Sequence, residues 1–441
     1  MKTQFARTAL AAALLCFTAG AAVTIATTAA AASDKKDKGP SVSPKVGIAL
    51  LKAQKAMKSN DLDALQKAID EADAVPDKTD FDVFEINQFK GALGIQKKDY
   101  PAAAAAYKAM INSPSFDSLT DDNKIVTLRN AAALGGMVKD WQQIISAYTQ
   151  LEKLNAMNGK YYAALSQAYY LENDFPNAAK AAKKSVDLTD AKGETPDKTA
   201  LQILLSAQVK NNDQSGAMET LEKLAVYYGD PGDWGQVIDN GLATKGMSEL
   251  DALYLYRLRF AVGAKSAGDD YTVAAGIALQ KGYAVEAEKI LEKGIAAGAL
   301  SHGRAAHQLS EARSGARMDE RSLKTIAAAA ARSKSGEQDI QLAEDYWGYG
   351  RYGDAVTAAR AGLSKGGLKD RGEGEFILGI SLLTEGKIDE ARQIFAKLDG
   401  SDARAHAAHL WDLYAQRKQF LANPPAPAAQ KPAQQAQQPA Q

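Results

Sequence analysis

The sequence predicts an all-α protein, an α-solenoid of stacked antiparallel helix pairs, and three observations lead there. Alanine is abundant, β-branched runs are scarce and aromatics other than Tyr are few, a composition that favours helix throughout. One apolar skeleton with helical spacing recurs along most of the 441 residues. Within that skeleton small residues fall in fixed columns, as they must where two helices cross closely.

The first 32 residues stand apart from the rest. Lys2 and Arg7 precede an uncharged, Ala-rich apolar stretch from Thr8 to Ala26, and small residues follow to Ala32. That is the layout of a secretory signal peptide, with an Ala-x-Ala cleavage site before Ser33. Left uncleaved, the same stretch is just long enough to anchor the chain in a membrane. Export to the periplasm is the first localisation expected, and an inner-membrane anchor is the alternative. Cys16 does not read as a lipidation site, because Leu15 rather than a small residue precedes it. It is the single cysteine, so cleavage removes all thiol chemistry with it.

Residues 33–43 are charged and Pro-broken, which reads as a flexible linker. The repeats are expected over 44–400, in about ten helix pairs. A capping helix over 401–422 carries Leu410, Leu413 and Leu421 among Arg404, Arg417 and Lys418. The Pro/Ala/Gln-rich tail at 423–441 has almost no large apolar residue and is expected to be disordered.

The clearest repeat starts at Gly159. Tyr162, Leu165, Ser166 and Tyr169 share one helix face, Asn173 and Phe175 mark a turn, and Ala178, Ala182 and Ser185 form the face of a second helix. The same skeleton returns as Leu342, Ala343, Tyr346, Gly350, Tyr352, Ala355 and Ala359, and as Leu378, Gly379, Leu382, Gly386, Ile388, Ala391 and Phe395. These residues resemble the tetratricopeptide repeat, a helix-turn-helix of about 34 residues with a small residue at position 8, Gly at 15, an aromatic at 17 and Ala at 20.

In that register, position 20 reads Leu65, Ala103, Ile144, Ala178, Ala217, Ala252, Ala287, Arg321, Ala355 and Ala391, at intervals of 34 to 41 residues. Loop insertions after Val75, Asn112 and Leu188 account for the longer intervals. Position 8 is small in seven units: Ala53, Gly91, Ala132, Ser166, Ala275, Ala343 and Gly379. Asn60, Asn173, Asn212, Gly282, Gly350 and Gly386 stand at turn position 15, where a left-handed backbone is needed. Position 24 carries large residues that pack one unit on the next, among them Ile69, Tyr107, Tyr148, Leu221, Tyr256, Leu291 and Phe395. Two units are degenerate: Asn240 replaces the small residue before Ala252, and the unit of Arg321 has Leu309 there and no turn Gly or Asn.

Catalytic constellations are not found. His406 and His409 share a helix face at i, i+3, but no carboxylate continues the set as a zinc site needs. His302 and His307 are five apart and poorly aligned. The glycines of GYGRYGDA lack the preceding strand and the Lys-Ser/Thr ending of a phosphate loop. No metal site, no cofactor and no enzymatic activity are expected. Without Lys2 and Arg7 the chain holds 51 basic against 53 acidic residues, and that balance offers no footprint for nucleic acid or anionic lipid.

The tetratricopeptide resemblance implies a concave face lined by positions 2, 5, 9 and 12 of each first helix. It places Tyr170, Trp347 and Phe376 there, with Arg129, Lys160, Gln167, Arg313 and Glu344. Aromatic and charged residues side by side suit a peptide or the edge of a folded partner. The family's carboxylate clamp is not expected: Asn130 and Lys160 match it, but Gln88, Ala92 and Ala164 stand where Lys, Asn and Arg belong. The function implied is a periplasmic scaffold or adaptor that binds a protein or peptide partner through the concave groove, with cell-envelope assembly as the setting expected. A peptidoglycan-binding or glycan-binding module is the alternative, on the groove Tyr and Trp.

Overall fold

The structure, a computed structural model, describes residues 41–400 and 402–424. The expected signal peptide, most of the linker and nearly all of the tail lie outside the described residues. Those described form twenty α-helices and one short 3-10 turn, with no strand among them, an all-α solenoid as expected. The helices fall into two compact units that divide between Asp213 and Gln214.

Unit 1 contains α1 (Pro44–Lys58), α2 (Leu62–Asp73), α3 (Asp80–Lys97), α4 (Tyr100–Ile111), α5 (Asp121–Val138), α6 (Trp141–Lys153), α7 (Gly159–Leu171), α8 (Phe175–Asp190) and α9 (Lys198–Lys210). Each helix packs on the next, and α7 also meets α9. The small residues of position 8 are all buried here, as are Ile69, Tyr107 and Tyr148 of position 24. Gly91 shows why the column must be small: a Cβ there would sit 2.8 Å from the Tyr107 ring, well inside contact distance. The insertion after Asn112 is no loose loop, since its 3-10 turn (Pro114–Ser118) buries Phe116. Val42 is in the core, and the Ser43 backbone N–H donates to Asp82 Oδ1 at 2.8 Å.

The turns reveal a column that sequence reading missed. Asn60, Asn173 and Asn212 are left-handed as expected, but so are Lys98 and Lys139 at the same position. In all five the next residue is an Asp, and Asp61, Asp99, Asp140 and Asp174 cap the helix that follows. Each of these four accepts a backbone N–H from the first turn of the following helix, at 3.0 to 3.2 Å.

Unit 2 contains α10 (Gln214–Tyr228), α11 (Pro231–Leu242), α12 (Glu249–Ala261), α13 (Gly268–Gln280), α14 (Ala284–Ala296), α15 (His302–Arg332), α16 (Glu337–Tyr349), α17 (Tyr352–Lys365), α18 (Arg371–Thr384), α19 (Ile388–Phe395) and α20 (Ala403–Ala422). Its turns use Gly282, Gly350 and Gly386 with positive φ. Tyr283, Arg351 and Lys387 follow them and make no side-chain cap.

Both degenerate units depart from the helix-pair expectation. The unit of Arg321 is not a pair but one continuous helix, α15, because nothing from Leu309 to Ser322 breaks it and Gly315 alone is tolerated in a helix. Ala252 is half-exposed instead of sitting at a tight crossing, because α12 does not pack as the second helix of a standard pair.

Leu253, Tyr254, Leu255 and Leu258 of α12 are fully buried, and Asp251, Arg257 and Arg259 nearly so. Helix α20 does more than cap α19: it also packs on α10, α11 and α12. Trp411 Nε1 donates to the Tyr254 carbonyl at 3.0 Å, and Arg404 Nε to Asp251 at 2.7 Å. Arg417 donates to the carbonyls of Val226, Tyr227 and Tyr228, the last turn of α10, where a cation meets the negative helix end.

The tightness of the crossing can be tested at Gly379. A Cβ there would lie 2.6 Å from the Phe395 ring, itself held edge-on to Phe376 at 6.0 Å. Alanine gains about 1 kcal/mol of helix propensity over glycine, but overpacking costs about 1 to 3 kcal/mol. Gly379→Ala is therefore expected to lower the thermal midpoint, and Phe395→Leu in that background to restore part of it. Unfolding followed by circular dichroism measures both, and an unchanged midpoint would contradict so tight a crossing.

Candidate functional site

The eight residues expected to line one groove separate into two settings. In unit 1, Arg129 projects from α5, and Lys160, Gln167 and Tyr170 from α7. The Arg129 guanidinium lies over the Tyr161 ring, 5.4 Å from its centroid, so α5 and α7 present these side chains together. Tyr161 in turn stacks on Tyr148 at 5.3 Å. At the far end of α7 the Tyr170 hydroxyl is 2.8 Å from Ser206 Oγ of α9, and its ring meets Phe175 edge-on. Tyr170 thus stays half-exposed while tied to the next first helix.

Arg129 and Lys160 are exposed and form no ion pair or hydrogen bond among the described residues. Val126, at position 2 of its unit, is exposed beside them, and Gln167 is half-buried. At position 2 of the preceding unit stands Glu85, a buried carboxyl without a cation. Loss of hydration alone pushes its pKa up to about 7. This face therefore combines two free cations, aromatic surface and amide groups.

Unit 2 holds the other four, and it corrects the expectation for Glu344 and Phe376. Glu344 and Phe376 are fully buried and Trp347 is half-buried, because side chains of α12 lie against the faces of α16 and α18 that were expected to stand open. Phe376 stacks flat on Tyr254 at a centroid distance of 4.0 Å. Glu344 accepts from the Tyr254 hydroxyl and from Arg257, both at 2.7 Å. Trp347 lies over Arg257 at 5.5 Å. Arg313 is exposed but already paired with Glu288 and Glu292 of α14. In unit 2 the chain itself fills the hollow.

Arg257 is the hub of this filling, and sequence reading passed over it. It forks onto both oxygens of Glu286, at 2.7 and 2.6 Å, and reaches Glu344 as well. Burial would drive its proton off, yet the two carboxylates hold its pKa well above the usual value. Glu344 is shifted up by burial, against the pull of Arg257. Glu373 and Asp345 both rise to about 7, chiefly through loss of hydration and then through neighbouring carboxylates. A signal was present: Arg257 and Arg259 interrupt the apolar run of α12, and a charge inside such a run demands a buried acid elsewhere.

Chemistry remains sparse. A cleft of about 610 Å³ beside α20 is lined in part by Arg392, Phe395, His406, His409 and Asp412. His409 is 3.1 Å from Glu222, which raises its pKa, while burial lowers that of His406. Arg392 is held by Asp412 and Gln419, both at 2.9 Å. Among the described residues no three His, Cys, Asp or Glu side chains converge as a metal set.

No family model matches the sequence, and no curated protein does. Solved structures similar to it include the TPR domain of P58(IPK), 14% identical with a TM-score of 0.21, where 86% of this chain and 99% of that one are covered. The Cut9-Hcn1 hetero-tetramer of the APC/C is 11% identical over 86% and 80% of the two chains, with a TM-score of 0.22. Naa15/Naa10 bound to HypK-THB is 15% identical over 86% and 67%, with a TM-score of 0.23. The solenoid assignment rests on this chain's own helices and columns.

Two stability measurements probe the buried charges. Arg257→Met strands two carboxylates and is expected to destabilise unit 2 by about 3 to 5 kcal/mol, most of it recovered on adding Glu286→Gln and Glu344→Gln. Denaturant unfolding of both variants decides. For Glu85 the folded pKa of about 7 exceeds the ordinary 4.5, so its burial stabilises the protonated form. The penalty is absent below pH 4.5 and complete above pH 7. Glu85→Gln is therefore expected to be more stable than the parent at pH 8 and equal to it at pH 4, the comparison being made by thermal melts.

Proposed function

We propose that this chain is a protein-binding scaffold and that unit 1 presents the binding face. One observation carries the reading: Arg129 and Lys160 stand exposed and unpaired on adjacent first helices, beside Tyr161 and a half-exposed Tyr170. Unpaired cations next to aromatic surface favour an extended segment with carboxylate side chains. Aromatic rings supply contact area at low entropic cost, and the cations supply register and encounter rate. The amide of Gln167, half-buried on the same helix as Lys160, is available to a backbone laid across it. Unit 2 is assigned a supporting role, since its corresponding hollow is taken by α12.

We place the scaffold in the periplasm, on the charged, apolar and small-residue order of residues 1–32. Sequencing the N-terminus of the protein recovered from a cell-envelope fraction tests that assignment. A photo-crosslinking residue at Gln167 tests the binding face. Partner adducts are expected with it and are expected to fall at least tenfold when Arg129→Glu and Lys160→Glu are added, a loss of about 1.4 kcal/mol or more. Equal yields with and without the charge reversals would remove unit 1's cationic face from the binding site.

A further inference from the structure

The near-zero net charge conceals a segregation. Residues 1–58 hold nine basic and two acidic side chains, an excess of seven that the rest of the chain offsets, since the totals are 53 of each. Without Lys2 and Arg7 the excess is still five. Part of it is folded into α1, which carries Lys45, Lys52, Lys55 and Lys58 and no acid. An asymmetry of this kind points to a surface or polymer of opposite charge.

Helix α1 is the first described element, and one of its faces has no neighbour among the described residues. Lys45, Ile48, Leu51, Lys52, Lys55 and Lys58 are all exposed and recur every three or four residues, so they share that face. Ile48 and Leu51 sit near its middle, 60% and 45% exposed, with lysines on either side. The end of a solenoid is ordinarily polar, because nothing stacks on it. Two bare aliphatics there are a departure. Among the described residues only Lys52 is paired, with Glu71 of α2. The remaining acids of α2, Asp63, Asp70 and Asp73, are exposed on the second helix of the pair, so the pair is basic on one helix and acidic on the other.

We propose that the outward face of α1 is a docking surface for an anionic phospholipid bilayer. Three lysines without partners match a negatively charged headgroup layer, and two aliphatics between them match the headgroup–acyl boundary. The chain outside the structure agrees with this occupant. It precedes α1 in sequence and carries Lys35, Lys36 and Lys38 between the apolar stretch at 8–26 and the helix. A basic segment next to an apolar stretch is what an anionic leaflet attracts. The surface is distinct from the Arg129–Lys160 face and does not depend on the scaffold reading.

The test uses the chain from Ser33 onward, which retains every described residue and lacks the apolar stretch. Co-sedimentation is measured with phosphatidylcholine vesicles and with vesicles containing about one third phosphatidylglycerol. Binding is expected with the anionic vesicles alone, and it is expected to weaken as salt shortens the Debye length from about 10 Å toward 3 Å. Lys45→Gln, Lys55→Gln and Lys58→Gln together are expected to lower partitioning by at least tenfold, and Ile48→Ser with Leu51→Ser by several-fold, with unchanged circular dichroism in both. Equal sedimentation with neutral and anionic vesicles would overturn the proposal. So would a triple-lysine variant that binds like the parent, or a photo-crosslinker at Leu51 that captures only protein.

Discussion

The close approach of the two helices in each pair is the constraint on which the rest of this fold depends. A bulky ring on the second helix fits because the first helix offers it no side chain: Tyr107 covers Gly91 and Phe395 covers Gly379. That fit sets the spacing of a pair, and the pair's leftover apolar face then requires a neighbour. Stacking follows from incomplete burial. Where the small residue is missing the pattern gives way, as in α12, whose Ala252 no longer lies at a tight crossing.

The two units meet the same requirement in different ways. Unit 1 holds its turns with left-handed Asn or Lys followed by a capping Asp, and its first helices leave Arg129 and Lys160 in solvent. Unit 2 turns on Gly282, Gly350 and Gly386 with no side-chain cap after them, and draws one of its own helices into its interior. That helix brings a cation with it. The interior accepts Arg257 because Glu286 and Glu344 meet it in forked geometry and three aromatic rings surround it. Such an arrangement contributes less to stability than to uniqueness, since few other placements of α12 satisfy all three charges at once.

Most of the fold was legible because small and large residues repeat in register. Ala53, Gly91, Ser166 and Gly379 could be placed at crossings from their neighbours in sequence alone, and each is buried. Left-handed Lys98 and Lys139 were not legible, since lysine carries no preference for that conformation. The Asp that follows each of them was a usable sign, because a capping oxygen at a fixed offset marks a helix start whatever precedes it. The groove residues divide for a related reason. Local periodicity assigns a residue to a helix face, but what lies over that face is decided by chain far away. Nothing near Phe376 in sequence announces that Tyr254 will stack on it. The charged interruption of α12 was the one hint that unit 2 would close on itself.

The contacts of α20 bear on how unit 2 comes to exist at all. Arg404 and its partner Asp251 are 153 residues apart, and Trp411 reaches Tyr254 over 157. Unit 1 is built from contacts between near neighbours, so each pair can settle as soon as the next one follows it. Unit 2 has no such schedule. Until its last helix arrives, α12 lacks part of its cover, and a chain emerging N-terminus first leaves Arg257 and its aromatic neighbours partly uncovered until the 153 residues from Asp251 to Arg404 have followed. The unit is the portion of the protein whose burial depends most on distant chain. Any truncation that removes α20 is, for the same reason, a lesion in α12.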